Sequence, residues 1–244
     1  MKRYIKRIIV AIFSLLVSCQ TVDRSPAKYE SNVVKVVGYH DENDLSDFIA
    51  YIDATSSSII QKYNPYYSRK VIITLYSSAN ALHSAQGRTG APQWSVGGAT
   101  KEGNIRMVHP YKSAVHSYDN MKKILVHEYT HVIINSINMN VPSWLNEGIA
   151  IVEAGQHRSK KEIEQLKTEA IQYRLPIFYE IDKDHSTGLV YKYAGSIVEF
   201  IIHDYSLEHL RGFIKNPSVE KIFGLSKDQF QLKWREYILS DAYL

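Results

Sequence analysis

The hydrophobic positions of the first half of the chain alternate between strand-like and helix-like spacing. Residues 41–63 place apolar side chains at helical spacing and end before Asn64-Pro65, which predicts one helix. Residues 79–86 predict a further short helix, and the glycine-rich stretch 87–98 is typical of turns. Three short runs are rich in β-branched residues and predict strands. They are residues 33–40, 70–77 and 104–110.

From residue 119 onward the pattern becomes helical almost throughout. The predicted helices cover residues 119–138, 142–154, 159–173, 189–205, 206–215 and 226–240. Strands first and helices afterwards indicate an α+β fold, in which a small N-terminal mixed sheet with one helix precedes a mainly helical lobe. We therefore predict a single domain over 32–240, divided into an α+β lobe (32–118) and a helical lobe (119–240). Trp144 and Trp234 are expected in its core.

The N-terminus has the pattern of a targeting segment. Residues 2–7 contain four basic side chains, and residues 8–17 are apolar except for Ser14, a length typical of a signal peptide rather than a membrane span. The segment ends in Leu16-Val17-Ser18-Cys19, which resembles the lipobox of bacterial lipoproteins. That resemblance implies a signal peptide over 1–18 and lipidation of Cys19. It also implies a domain anchored to a bacterial membrane, in the periplasm or at the cell surface.

Residues 19–31 are polar and predict a tether between the anchor and the domain.

Composition and charge exclude several classes of protein. The net charge of +4 comes entirely from the four basic residues of the targeting segment, so the rest of the chain is balanced and we expect no nucleic-acid partner. Apolar residues make up 45% of the chain, an ordinary globular value, and a single cysteine excludes a disulfide framework.

The sequence HEYTH at residues 127–131 contains the candidate chemistry. On a helix, His127 and His131 are one turn apart on the same face, so that two imidazoles can bind one metal ion. Glu128 lies beside them and is expected to be the general base toward the water that the metal activates.

A third ligand is expected from the segment PSWLNEGIA at residues 142–150. Pro142 suits the first turn of a new helix, from which Glu147 would project toward the metal. Two histidines and one glutamate leave the fourth position open, as in catalytic zinc sites. We therefore predict one Zn²⁺ per chain, bound by His127, His131 and Glu147.

These two motifs together resemble the gluzincin zinc metallopeptidases. The string WLNEG is similar to that of aminopeptidase N-like enzymes, and the stretch 95–240 looks more like the smaller bacterial peptidase MA-like domains, several of which are predicted lipoproteins. Residues 175–182, 191–201 and 222–239 follow the order of that family's C-terminal helices. The resemblance implies the same zinc ligands, and Glu128 as the general base.

The chain also departs from the better-known gluzincins. Fifteen residues separate His131 from Glu147, fewer than in thermolysin-like and aminopeptidase N-like enzymes, which predicts a compact helix-loop-helix. The G-x-M-E-N motif of the aminopeptidases is absent, and residues 97–107 stand in the corresponding place. This absence favours an endopeptidase, or an unusual substrate, over an aminopeptidase.

Several further residues are candidates for supporting roles. Tyr193, with Tyr191 as the second choice, is expected to stabilise an oxyanion beside the metal, and Asn146 is a candidate for orienting the ligands. Strand 104–109 could present an open edge to which an extended peptide adds. Four histidines are expected mainly at the surface or at strand ends. They are His109, His116, His203 and His209.

The sequence thus predicts a membrane-anchored zinc metallopeptidase that hydrolyses peptide bonds of a peptide or protein substrate. Two alternatives remain open. One is a non-catalytic, gluzincin-like metal-binding lipoprotein that recognises a partner, although the presence of Glu128 argues against loss of catalysis. The other is an amidase acting on cell-wall peptides.

Overall fold

A computed structural model describes residues 29–183 and 188–243 of the chain. Its N-terminal half forms a five-stranded mixed sheet in the order β1-β2-β3-β5-β4. The two outer pairs, β1–β2 and β4–β5, are antiparallel, and the two inner pairs are parallel. The strands are β1 (Tyr29–Glu30), β2 (Val34–Gly38), β3 (Val71–Tyr76), β4 (Gly97–Ala99) and β5 (Ile105–Val108).

The sheet forms where the sequence alternates between buried and more exposed positions. Val71, Ile73 and Leu75 of β3 are buried, while the side chains between them are not, so one face of the sheet is turned to the core. Helix α1 (Ser46–Tyr63) connects β2 to the parallel strand β3, as a parallel pair requires. A short helix, α2 (Ala79–Ala85), follows β3.

The second half of the chain is helical, with α3 following directly after the sheet. Ser117 caps α3 by accepting a hydrogen bond from the main-chain N–H of Asn120. Two 3₁₀ segments, Pro110–Lys112 and Phe178–Lys183, connect longer elements. The helices are α3 (Tyr118–Ile137), α4 (Ser143–Glu153), α5 (Lys160–Ile171), α6 (Leu189–Asp204), α7 (Leu207–Lys215), α8 (Val219–Phe223) and α9 (Lys227–Leu239).

Helix α4 is fixed at both its N-terminus and its middle. The residue before the helix, Pro142, has no side-chain group that could cap the first main-chain N–H groups. Asp182 takes over this role for Trp144, whose main-chain N–H donates to its carboxylate (2.6 Å). Gly148 lets α4 approach α6, because a Cβ at this position would lie 2.5 Å from the carbonyl oxygen of Ala194. Since Gly148 follows Glu147 directly, the close packing of α4 on α6 also fixes the position of that glutamate.

The observed architecture confirms the predicted α+β fold, a small mixed sheet followed by a mainly helical lobe. Trp144 and Trp234 are buried in the core, as expected. The domain differs from the predicted range 32–240 at both ends. Strand β1 includes Tyr29 and Glu30, which the sequence placed in the tether, and Tyr243 is buried beyond the predicted end.

The predicted signal peptide, Cys19 and most of the tether lie outside the described residues. Within residues 29–183 and 188–243, every helix is too short or too polar to cross a bilayer.

Candidate metal centre

Three side chains from two helices converge at one point between α3 and α4. His127 and His131 lie one turn apart on α3, and Glu147 projects toward them from the second turn of α4. The candidate donor atoms of these three residues all lie within 4.8 Å of one another. The structure therefore brings together the ligand set that the sequence predicted.

Hydrogen bonds on the far side of each imidazole define which nitrogen faces the centre. Nδ1 of His127 lies 3.1 Å from Oε1 of Gln156, and Nδ1 of His131 lies 2.9 Å from Oδ1 of Asn146. Because an amide oxygen only accepts, both Nδ1 atoms carry the proton, and both Nε2 atoms present a lone pair. Asn146 is held in this orientation because its amide nitrogen donates to Asn135 (2.9 Å). This contact is the one that its predicted role in orienting a ligand requires.

When both histidines are neutral, the three groups at the centre are acceptors that have no donor between them. The two Nε2 atoms of His127 and His131 are 3.0 Å apart, and the carboxylate of Glu147 lies 3.2 Å from the first and 3.6 Å from the second. Oε2 of Glu147 is buried without a hydrogen bond, despite its proximity to His127. Converging lone pairs and a carboxylate form a favourable environment for a cation, so this group could hold a metal ion.

The electrostatics of the metal-free site support the same conclusion. Burial alone would lower the pKa of His127, but the contact with Glu147 and the charge of Glu128 outweigh it, and the pKa is raised. Burial would likewise raise the pKa of Glu147, but the contact with His127 and the charges of both histidines lower it. In the absence of a metal, each group thus shifts the other toward its charged form.

The edge strand β4 positions the candidate base. The main-chain N–H of Ala99 donates to Oε2 of Glu128 (2.8 Å), on the side of the strand that faces away from β5. Gly97 allows this close approach, since a Cβ there would lie 3.3 Å from Cγ of Glu128 and 3.1 Å from Ile124. Glu128 also lines the cavity that contains the ligands.

The ligands and Glu128 line a cavity of about 490 Å³ between β4, α3 and α4. Tyr191 lies on its rim, whereas Tyr193 does not line it. The hydroxyl of Tyr193 instead donates to Glu169 (2.8 Å), and the two tyrosines point in different directions because positions i and i+2 of a helix do not share a face. The structure thus corrects the preference for Tyr193 and brings the second choice, Tyr191, to the cavity.

The proton of Tyr191 is firmly held. Partial burial, followed by the charges of Glu147 and Glu128, raises the pKa of Tyr191 to about 12, while Arg88 acts in the opposite direction. The hydroxyl therefore remains a hydrogen-bond donor at neutral pH.

Strand β5 is not an open edge, contrary to the expectation for residues 104–109. Gly97–Ala99 pairs with it in antiparallel register, so the edge beside the cavity is β4. The main-chain groups of Gly97 and Ala99 point away from β5, because successive residues of a strand alternate in direction. This edge is available to an added strand through the main-chain groups of Gly97 and the carbonyl of Ala99, whereas the N–H of Ala99 already donates to Glu128.

Two histidines fix the segment that leads into β4, a role that the sequence did not suggest. His83 is buried, and its Nε2 lies 2.7 Å from the carbonyl oxygen of Ser95. Nε2 of His116 lies 2.9 Å from the carbonyl oxygen of Trp94. Both hydrogen bonds require a protonated Nε2 and hold the strand that positions Glu128.

The remaining candidate histidines lie outside the cavity. His109 is buried at the end of β5, with its Nε2 3.6 Å from Oδ1 of Asp41. His203 and His209 are exposed on α6 and α7, in agreement with the surface positions expected for them.

Gln156 was not singled out from the sequence, because it follows the end of α4 at Glu153 and belongs to no motif.

Comparison of the chain with protein-family models finds no match, and comparison with curated protein sequences finds none either. The assignment of the site therefore rests on its own geometry.

Proposed function

We propose that this protein is a zinc-dependent metallopeptidase of the gluzincin type, held at a bacterial membrane through lipidated Cys19. The observation that supports it is the convergence of His127, His131 and Glu147 with Glu128 alongside, in one cavity next to an open sheet edge. The sequence pattern before residue 20 is the only support for the anchor.

The donor set fits zinc better than a harder ion. Two imidazole nitrogens and one carboxylate are typical ligands of catalytic zinc, whereas Mg²⁺ and Ca²⁺ favour oxygen ligands alone. Each histidine is oriented by an amide oxygen, the arrangement that outer hydrogen bonds give to metal-binding imidazoles. Zinc bound there would act as a Lewis acid toward a carbonyl oxygen and would lower the pKa of a water molecule.

Glu128 is proposed as the residue that moves the proton. Its Oε2 is fixed by the N–H of Ala99, so Oε1 is the atom that accepts a proton from the attacking water and returns it to the leaving amine. Water thereby adds a hydroxyl to the carbonyl carbon and a hydrogen to the amine nitrogen as the C–N bond breaks.

Tyr191 is proposed to stabilise the negative charge that develops on the substrate's carbonyl oxygen. Its hydroxyl stays protonated at neutral pH and lies on the rim of the same cavity. An extended substrate would pair with the outer side of β4 through the main-chain groups of Gly97 and the carbonyl of Ala99, which would position its scissile carbonyl over the ligands while the N–H of Ala99 stays bonded to Glu128.

Turnover of a quenched mixed-peptide library by the full-length protein in detergent tests this proposal. We expect zinc-dependent cleavage by the wild type, its loss in Glu128→Gln with zinc retained, and unchanged cleavage in Glu164→Gln. The last variant makes the same change at an exposed position of α5. Zinc binding without cleavage would contradict a general peptidase, and cell-wall peptides assayed in parallel would separate an amidase from a binding protein.

A further inference from the structure

A second cavity adjoins the metal cavity and shares a wall with it. It measures about 310 Å³ and is bordered by His116, Ile124 and Gln156, which also line the metal cavity. Gln156 in this shared wall is the residue that orients His127. A substrate lying over the metal ligands therefore has space for one more group on this side.

Among residues 29–183 and 188–243, the charged and titratable groups that line this second cavity are all basic. Apart from the shared wall, these lining residues are Asn120, Lys123 and His157, and none of them is a carboxylate. Lys123 lies one helical turn before His127 on α3 and shares its face of the helix, and the cavity that it lines adjoins the metal cavity.

The ammonium group of Lys123 has three N–H donors, of which one is used by a described contact. Its ammonium group donates to the carbonyl oxygen of Gly155 (3.2 Å), and within the described part of the chain it forms no ion pair. The neighbouring Lys122 differs, because it pairs with Asp47 of α1 at 2.9 Å and with Asp119 at 3.9 Å. A half-buried ammonium group with free donors beside a cavity favours an anionic ligand.

The charge balance of the metal-loaded site points to the same ligand. The carboxylates of Glu128 and Glu147 would offset a bound zinc dication, which leaves the cations of Lys123 and Arg88 at the cavity unbalanced. Clefts with an excess of one sign of charge concentrate ligands of the opposite sign.

We infer that the cavity at Lys123 is a substrate subsite for a carboxylate, supplied by an acidic side chain or by the carboxyl terminus of a peptide. The inference rests on the proposed peptidase function and names its substrate class. Lys123 provides the charge, and His157 is a further donor at the rim.

Calorimetric titration of the full-length Glu128→Gln protein in non-ionic detergent, with and without zinc, tests the inference without turnover. The probes are a blocked alanine-rich hexapeptide amide, the same peptide with glutamate or glutamine placed in turn at each position, and its free acid. The glutamate arm tests an acidic side chain, and the free-acid arm tests the chain terminus.

We expect one glutamate position, or the free acid, to bind about ten-fold more tightly than its neutral counterpart. When combined with Glu128→Gln, the change Lys123→Gln should abolish this preference, and Lys123→Arg should retain it. Lys122→Gln, which removes the same charge from the same helix away from the cavity, should retain it too.

Equal binding of charged and neutral peptides, or a preference that survives in Lys123→Gln, would overturn the subsite while leaving the peptidase proposal intact. A failure of every peptide to bind, in either metal state, would overturn both proposals together.

Discussion

The main-chain N–H of Ala99 lies 2.8 Å from Oε2 of Glu128, so the edge strand of the sheet holds the carboxylate beside the metal ligands. The sheet and the helical lobe thus meet at the candidate base. A main-chain donor on a strand is more rigid than a side-chain donor, and it leaves one carboxylate oxygen for proton transfer.

Removal of this donor should impair catalysis without removing the metal. In Ala99→Pro the hydrogen bond to Glu128 is lost, whereas the pairing with β5 is spared because this N–H points away from it. We expect kcat to fall by about ten-fold or more, in line with the loss of a hydrogen bond to a charged group. Steady-state kinetics with parallel zinc analysis measures both quantities. Ala99→Gly keeps the N–H and serves as the control, and an unchanged kcat in the proline variant would rule out this role.

The amide of Asn146 should set the zinc affinity through His131. Asn146→Ala removes the acceptor that fixes the imidazole, and such changes typically weaken metal binding by about 10- to 100-fold. Asn146→Asp keeps an oxygen at the same place and should retain most of the affinity. Competition with a chromophoric chelator gives the dissociation constants, and equal values in wild type and Asn146→Ala would refute the assignment.

The two tyrosines of α6 should behave differently when each loses its hydroxyl. Tyr191→Phe should lower kcat by about 100-fold, as expected for loss of one oxyanion donor, with little change in KM. Tyr193→Phe should leave kcat unaltered and instead lower the free energy of unfolding by about 1 kcal/mol, because its partner is Glu169. Kinetics and denaturant unfolding of both variants test this pair, and the reverse pattern would restore the expectation from the sequence.

Protons should compete with the metal at His127. Because the pKa of His127 is raised in the metal-free protein, zinc must displace a proton from it over a pH range that extends above that of an ordinary histidine, and zinc affinity should fall as the pH is lowered through this range. Calorimetric titrations at several pH values, in buffers of different ionisation enthalpy, count the protons released, and a zinc affinity that does not depend on pH would contradict the assignment.

The contact between His127 and Glu147 should make the stability of the metal-free protein depend on pH. A raised pKa of His127 contributes stability that is present below its unfolded value and is lost as the pH rises through the folded value. The lowered pKa of Glu147 contributes stability above its unfolded value, which is lost as the pH falls through the folded one. Thermal unfolding between roughly pH 5 and pH 9, across the ordinary range of histidine, should show a steeper decline on the alkaline side for wild type than for His127→Gln, while the contribution of Glu147 is lost only at lower pH.

The ligands could be predicted from the sequence because helical spacing alone places them. His127 and His131 share a face wherever the segment is helical, and Glu147 follows at the start of the next helix. Tyr191 and Tyr193 could not be ranked in the same way, because the choice depends on which face of α6 packs against Glu169 and the core.

Strand β4 escaped prediction because its residues carry no strand signal. Gly97, Gly98 and Ala99 have low β propensity, and glycine in this stretch is explained only by the approach of Glu128 and Ile124. The donor that Ala99 offers is a main-chain group, and no side-chain pattern can reveal it. Gln156 acts through tertiary contact with His127 and belongs to no local motif.

The central claim is that His127, His131 and Glu147 bind a catalytic metal ion, and the metal content of the purified protein tests it most directly. We predict one zinc per chain by mass spectrometry of the full-length protein. The zinc should be lost in His131→Ala and retained in Glu128→Gln. A folded wild-type protein that binds no metal when zinc is supplied would contradict the account and leave the convergence of these three side chains without a function.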